Sequence, residues 1–320
     1  MNIKRIGILT SGGDAPGMNA VIYSVVRNAF ENNLEVLGIY RGYNGLINGN
    51  LTSLNLDDVK DIMKRGGTIL YSARCKEFRT GEGLQKAVKT CKDNKIDGLI
   101  VIGGDGSFKG ANNLSKEGVP CIGIPGTIDN DIACTEYTLG FGTAVNTAIG
   151  MVDKLSDTMM SHDRCSVVEV MGRSSGYIAL EVGVSVGASY IILPEVKFDK
   201  EDLFLKMKKS IKNGRKHFII VVAEGLINVF DLAKDIEKET GVESRATVLG
   251  HVQRGGSPIA KDRITGVQFG QRAVELLLDG RVKRVVGIKS EKIVDYDILE
   301  GLGLDTKFPK DLYDIAKKMF

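Results

Sequence analysis

Residues Pro125 to Asp131 read PGTIDND and follow directly on the apolar run Val119 to Ile124. A strand that delivers Thr127, Asp129 and Asp131 into one loop brings a hydroxyl and two carboxylates together. Such groups position an alcohol, accept its proton and help hold a divalent cation, which are the needs of phosphoryl transfer. A polar turn with Asx caps would not need two Asp at i, i+2 beside a Thr.

Two glycine-rich turns supply candidate phosphate cradles. In TSGGDAPGMNA, Thr10 to Ala20, Gly12 and Gly13 allow backbone N–H groups to approach a phosphate beside a helix N-terminus. In GGDGSFKG, Gly103 to Gly110, three glycines surround Asp105, which suits Mg²⁺, while Ser107 suits a phosphate. A helix cap by Asp105 or Ser107 is the plainer alternative. No GxxxxGK[ST] occurs, and no GxGxxG follows a strand with a ribose-binding acid, so neither a P-loop nor a nicotinamide fold is supported. Arg65, Arg74, Arg79, Arg164, Arg173, Arg245 and Arg254 mostly lie beside glycines or at strand ends, where guanidinium groups suit phosphate and spreading charge. Glu224, in VVAEG, is placed either to accept hydrogen bonds from sugar hydroxyls or simply to face water.

These residues need strand ends to hold them. Apolar runs at Arg5 to Leu9, Glu35 to Tyr40, Gly98 to Ile102, Val119 to Ile124, Ser166 to Val170, Phe218 to Ala223, Ala246 to Leu249 and Val285 to Ile288 predict buried parallel strands. Amphipathic stretches at Met18 to Asn32, Leu84 to Asn94, Ala144 to Thr158, Lys200 to Asn213 and Thr265 to Leu278 predict helices between them. The alternation implies an α/β fold with ligands at the strand C-terminal ends, and the strands after about residue 165 form a second set. Two lobes with a site between them are expected.

Composition narrows the class. The 320 residues are 43% hydrophobic and 26% charged, enough for two coupled cores. Thirty-nine glycines exceed the ~7% average usage and cluster after apolar runs, which favours many tight strand-to-helix turns. A net charge of +3 without basic blocks removes the footprint of a nucleic-acid binder. Five scattered cysteines read as reduced thiols, three histidines lack zinc-ligand spacing, and no apolar run approaches ~18 residues, so the cytoplasm is the expected compartment.

LTSGGDAPGMNA, RGGT, SARCKEF, VIGGDGS, GIPGTIDND, MSHDR, EVMGR, VAEG and TVLGHVQRGGSP together resemble the bacterial ATP-dependent 6-phosphofructokinases, in order and spacing, over nearly the whole chain. The resemblance implies two Rossmann-like α/β/α lobes with mostly parallel sheets, an ATP-binding lobe of 1–138 plus 251–301 and a fructose 6-phosphate lobe of 139–250 plus 302–320. It also implies a homotetramer that converts fructose 6-phosphate and MgATP to fructose 1,6-bisphosphate and ADP.

Carried over by position, Asp129 is the base, with Thr127 and Asp131 beside it, and Arg173 and Arg74 stabilise the moving phosphoryl group. An ordinary Asp, pKa ~3.9, suffices as base if the proton leaves late. Gly12, Tyr43, Arg74, Cys75, Gly104, Asp105, Gly106 and Ser107 surround ATP, with Asp105 serving Mg²⁺. Thr127, Ile128, Asp129, Asp131, Met171, Gly172, Arg173, Glu224, His251, Val252, Gln253 and Arg254 hold fructose 6-phosphate, with Arg164 and Arg245 arriving from a neighbouring subunit. Gly106 and Gly126 stand where pyrophosphate-using relatives carry Asp and Lys, which favours ATP.

The departures lie elsewhere. Of an effector pocket for ADP or phosphoenolpyruvate, Arg27, Asp61, Arg215, Lys216 and His217 are retained, but Tyr23, Leu56, Ser156 and Asn213 replace cations and Ser189 replaces Glu. A weakened effector response follows. The neighbouring Asp163 and Arg164 match a pair that exchanges places between substrate-affinity states. The alternatives are a pyrophosphate-dependent enzyme, a kinase of the NAD or lipid type, and a silent sugar-phosphate sensor; the last should lack Asp129, Asp105 or Arg173, and all three are present.

Overall fold

The computed structural model describes residues 3–306 and 308–319. Its strands are β1 Arg5–Thr10, β2 Glu35–Ile39, β3 Leu51–Leu54, β4 Gly98–Gly103, β5 Cys121–Thr127, β6 Leu139–Gly140, β7 Cys165–Val170, β8 Tyr190–Ile192, β9 Phe218–Ala223, β10 Ser244–Val248, β11 Arg284–Lys289 and β12 Lys292–Asp297. Helices alternate with most of them, and the sheets are mostly parallel. Among the described residues no helix is long and apolar enough to cross a membrane.

The chain divides into two compact units. The first comprises Met1–Ile128, Ile132–Thr143 and Arg254–Thr306, and the second comprises Asp129–Asp131, Ala144–Gln253 and Lys307–Phe320. The sequence reading kept all of 1–138 in one lobe; the structure counts Asp129–Asp131 with the second unit, where the Asp131 carboxylate lies 4.0 Å from the Arg173 guanidinium.

In the first unit the strand order is β12-β11-β5-β4-β1-β2-β3, with β6 added beside β5. The strands from β5 to β2 are parallel, whereas β3 and β12 join antiparallel at the two edges. β4 is fully buried, and the inner residues of β1 are too, as their continuous apolar sequences require. Edge strand β12, KIVDYD, mixes polar and apolar residues and stays partly exposed. The order reverses between β1 and β4, whose parallel register runs from Ile6↔Gly98 to Thr10↔Ile102. That reversal opens a crevice at their C-terminal ends, which is where open α/β sheets bind ligands.

The second unit has the order β10-β7-β9-β8, all parallel. Its core gathers Val167, Ile220 and Val222 from the sheet and Leu203, Phe204, Met207, Leu232 and Ile236 from the helices Lys200–Lys212 and Val229–Thr240. Both helices begin at residues with built-in caps: Asp199 accepts from the amides of Glu201 and Asp202, and Asn228 from those of Phe230 and Asp231. Val170 of β7 pairs with Ala223 of β9, and Glu169 with Val248 of β10, so three adjacent strands end level.

Candidate active site

In the first unit the two glycine turns interlock at the crevice. Gly12 has φ 92°, a conformation that glycine adopts without strain, and its carbonyl accepts the Ser72 hydroxyl at 2.6 Å. The Ser11 amide donates to Ile102 at 2.9 Å, and the Ser107 hydroxyl donates back to Ser11 at 3.3 Å. Gly104 caps the helix Asp105–Lys116, so Asp105 and Gly106 sit exposed in its first turn. A Cβ added at Gly104 or Gly106 would meet nothing within 4 Å. The fold therefore does not demand these glycines, and the space beside them is open.

Tyr43 is buried rather than facing that space. Its hydroxyl donates to the Ser107 carbonyl at 2.6 Å, its ring stacks on Phe78 at 3.9 Å, and burial pushes its phenol well above the usual range. It supports the Asp105 turn from beneath. Arg74 is exposed and Cys75 half-buried. The guanidinium of Arg254 lies against Gly13 and donates to the Asp14 carbonyl at 3.1 Å.

Gly126 behaves differently from Gly106. A Cβ there would lie 2.9 Å from Ile102 and 3.2 Å from Met18, both fully buried. Packing alone asks for glycine at this position, so the donor argument rests on Gly106. Thr127 closes β5, pairs in register with Gly140 of β6, and gives its carbonyl to the Thr138 hydroxyl at 2.6 Å.

In the second unit, Asp129 is buried and Asn130 takes φ 50°, a left-handed conformation that Asn tolerates better than most residues. Beyond β7 the amides of the loop Met171–Arg173 are held by side chains: Gln253 accepts from the Met171 amide at 3.2 Å, and Glu224 Oε1 accepts from Gly172 at 3.1 Å and Arg173 at 2.6 Å. Arg173 thereby keeps φ 55° and an exposed guanidinium near Asp131. Gln253 is fully buried, and its amide nitrogen returns to the Gly250 carbonyl at 3.0 Å. His251 and Val252 are exposed in the short turn Gly250–Arg254.

Arg164 and Arg245 meet at one carboxylate. Arg164 Nε lies 2.8 Å from Glu243, and Arg245 also bonds to it. The hydrogen bond from Arg164 holds the Glu243 carboxyl below its usual range, with the charges of Arg164, Arg245 and His162 adding to it. Sequence reasoning passed over Glu243, although its place two residues before Arg245 was a usable signal.

The retained effector residues divide between the units. Arg27 faces Glu31 at 3.7 Å and Asp61 faces Lys64 at 3.7 Å in the first. In the second, Arg215 lies over the Phe218 ring and donates to the His217 carbonyl, while Lys216 reaches Asp163 at 3.5 Å. No three His, Cys, Asp or Glu side chains gather as a metal cage among the described residues.

The family model for phosphofructokinase matches residues 5–277. The chain belongs to the phosphofructokinase family. The ATP-dependent 6-phosphofructokinase of Bacillus mycoides is 52% identical over 317 residues, 99% of each chain, and that of Bacillus thuringiensis is 52% identical over the same span. Among solved structures, phosphofructokinase from Saccharomyces cerevisiae superposes with a TM-score of 0.88 at 34% identity, covering 99% of this chain and 46% of the yeast chain. A pyrophosphate-dependent phosphofructokinase from Marinobacter aquaeolei, at 22% identity and a TM-score of 0.86 over 99% of this chain and 91% of its own, shares the phosphofructokinase fold. Relatives using both donors therefore share this architecture, and the donor must be read from residues such as Gly106.

Proposed function

We propose that this chain is an ATP-dependent 6-phosphofructokinase, a glycolytic phosphotransferase that moves the γ-phosphoryl group of ATP to the 1-hydroxyl of D-fructose 6-phosphate. The full-length likeness to the Bacillus enzymes carries this reading. The open space over Gly104 and Gly106 supports a nucleotide there.

In this reading Asp129 takes the proton of the 1-hydroxyl as that oxygen bonds to phosphorus and the bond to the ADP oxygen breaks. Thr127 and Asp131 support the reacting groups, while Arg173 and Arg74 spread the charge of the transferring oxygens. The first unit would hold ATP at Gly12, Cys75 and Gly104–Ser107, with buried Tyr43 bracing that turn through the Ser107 carbonyl. The second would hold the sugar phosphate at Met171–Arg173, Glu224, His251 and Val252, with Arg254 completing the set and buried Gln253 bracing the Met171 amide.

Asp105 fits a magnesium ion. It is one exposed carboxylate beside a glycine cradle, and Mg²⁺ prefers one or two carboxylates together with phosphate oxygens and water. When bound, the ion would neutralise donor phosphate charge. The working form is taken as a cytoplasmic homotetramer in which Arg164 and Arg245 serve a neighbour's 6-phosphate. Their convergence on Glu243 supports only that the two guanidiniums can meet at one anionic acceptor. Loss of cations at Tyr23, Leu56, Ser156 and Asn213 supports a weak response to ADP and phosphoenolpyruvate.

A coupled assay with fructose 6-phosphate and either ATP or pyrophosphate, with and without ADP or phosphoenolpyruvate, tests these points. Turnover with ATP, little with pyrophosphate and a small effector shift is expected. Equal or faster turnover with pyrophosphate would sink the donor assignment, and a strong phosphoenolpyruvate effect relieved by ADP would sink the regulatory one.

A further inference from the structure

Asp262 lies outside every motif read as chemical, yet it is completely buried in the first turn of the helix Ala260–Leu278. Its carboxylate accepts four hydrogen bonds. Oδ1 takes the Tyr137 hydroxyl at 2.9 Å and the Gly140 amide at 2.8 Å, and Oδ2 takes the Thr143 amide at 3.0 Å and the Thr143 hydroxyl. The partners reinforce one another: the Tyr137 hydroxyl also accepts from the Gly142 amide at 3.1 Å, and the Thr143 hydroxyl from the Ile259 amide at 3.0 Å.

All of this converges on β6. Gly140, with φ 94°, is the register partner of Thr127, and Leu139 that of Gly126. Thr138 adds the side-chain bond to the Thr127 carbonyl. The backbone of Asp262 meets the other glycine turn as well, since a Cβ on Gly17 would lie 3.3 Å from its carbonyl. An ionised carboxylate facing the N-terminal amides of the helix Phe141–Ser161, from the first turn of its own helix, is also favoured by both helix dipoles.

We infer that Asp262 is a positioning residue: through Gly140 and β6 it sets the place of Thr127 in the reacting loop. The inference rests on the proposed role of Thr127. Burial pushes the Asp262 carboxyl up while its donors pull it back, so four satisfied acceptor sites are what keep a charge tolerable there.

Asp262→Asn keeps the shape but replaces one acceptor oxygen with an NH₂ that faces donors. The expected loss in kcat is about 10- to 100-fold, the scale of a small misplacement, with the KM for ATP within about two-fold of the parent. Amide exchange at Gly126–Thr127 and Leu139–Gly140 should rise about ten-fold or more while β1 and β2 keep their protection. With Thr127→Val added, the double variant should be no slower than the slower single, because both changes act on one element. Unchanged kcat, losses that multiply in the double variant, or exchange raised equally in all strands would overturn the inference. If Asp262→Asn does not fold, Tyr137→Phe removes one donor, and the same pattern at about three- to ten-fold is expected; normal kcat and normal β6 exchange would overturn the inference. If the parent fails to use ATP and fructose 6-phosphate, the functional reading falls, while the exchange measurement still decides whether Asp262 holds Thr127.

Discussion

Gly106→Asp separates what the fold needs from what the ligand needs. Gly106 is the second residue of the helix Asp105–Lys116, its φ is not positive, and an added Cβ meets nothing. Replacing glycine at a compatible position gains about 0.4–1 kcal/mol through the unfolded chain, and an acid in a first helical turn adds about 0.3–1 kcal/mol. The melting temperature should therefore hold or rise. A carboxylate about 4 Å from a donor phosphate, however, costs about 1 kcal/mol per charge pair in bulk water and about 4 kcal/mol at an effective dielectric near 20. Each 1.4 kcal/mol is a factor of ten, so kcat/KM for ATP should fall by about five-fold to several-hundred-fold.

Gly126→Ala is the contrasting control. Its Cβ would press on buried Ile102 and Met18, and overpacking of this kind costs about 1–3 kcal/mol, so here the melt should move down. The measurements are thermal denaturation of both variants and coupled assays with each donor. Gly106→Asp with ATP kinetics within about two-fold of the parent would refute the reasoning. So would a drop in melting temperature as large as that of Gly126→Ala.

Asp295→Ala should destabilise the first unit by about 3–5 kcal/mol in chemical denaturation, because Arg272, Arg281 and Arg284 all converge on that carboxylate, which is only 7% exposed. Burial pushes the Asp295 carboxyl up, but the arginines leave it net below its usual range; its stabilisation is thus full above the unfolded pKa near ~3.9 and is lost as pH falls through the lower folded value, a slope that Asp295→Asn should remove. Glu243→Gln should lower the KM for fructose 6-phosphate by releasing Arg164 and Arg245, and a raised KM would count against phosphate binding by that pair. Cys91, Cys134 and Cys165 have thiols pushed up to about 12 by burial, and Cys121 higher still, so a thiol reagent at pH 8 should titrate Cys75 alone in the folded protein and five thiols in denaturant.

The inner strands were legible because burial on both faces leaves a continuous apolar run, as in GLIVIG of β4 and FIIVVA of β9. Strands β3 and β12 were not, since LTSL and KIVDYD pair on one side only and carry polar residues outward. The helix starts at Met18 and Lys200 coincide with the onset of their apolar periodicity, whereas others lie ahead of it for a related reason. The helix Gly81–Asp93 begins with Gly-Glu-Gly behind a Thr80 cap that accepts from the Gly83 amide, so its first turn carries no apolar stripe. The helix Asp105–Lys116 starts inside the GGDGSFKG motif, where a helix cap and a phosphate cradle call for the same residue types.

The candidate site divides along the same physical line. Residues that would face a ligand advertise themselves by type and spacing, but those that hold them are defined by partners met only in three dimensions. Gln253 serves an amide 82 positions away, and Asp262 one 119 away. Glu224 shows the consequence: its strand-end position leaves sugar hydroxyls and water equally open, yet it spends one oxygen on the amides of Gly172 and Arg173. Arg173 in a left-handed conformation costs about 1–3 kcal/mol, and charge-assisted bonds of about 1.5–3 kcal/mol each offset that even toward the lower end, where a partly exposed site belongs. Glu224→Ala should for that reason reduce kcat as well as raise the KM for the sugar phosphate, whereas loss of a sugar contact alone would leave kcat intact. A pure KM effect in steady-state kinetics would return Glu224 to the simpler role that its sequence position suggests.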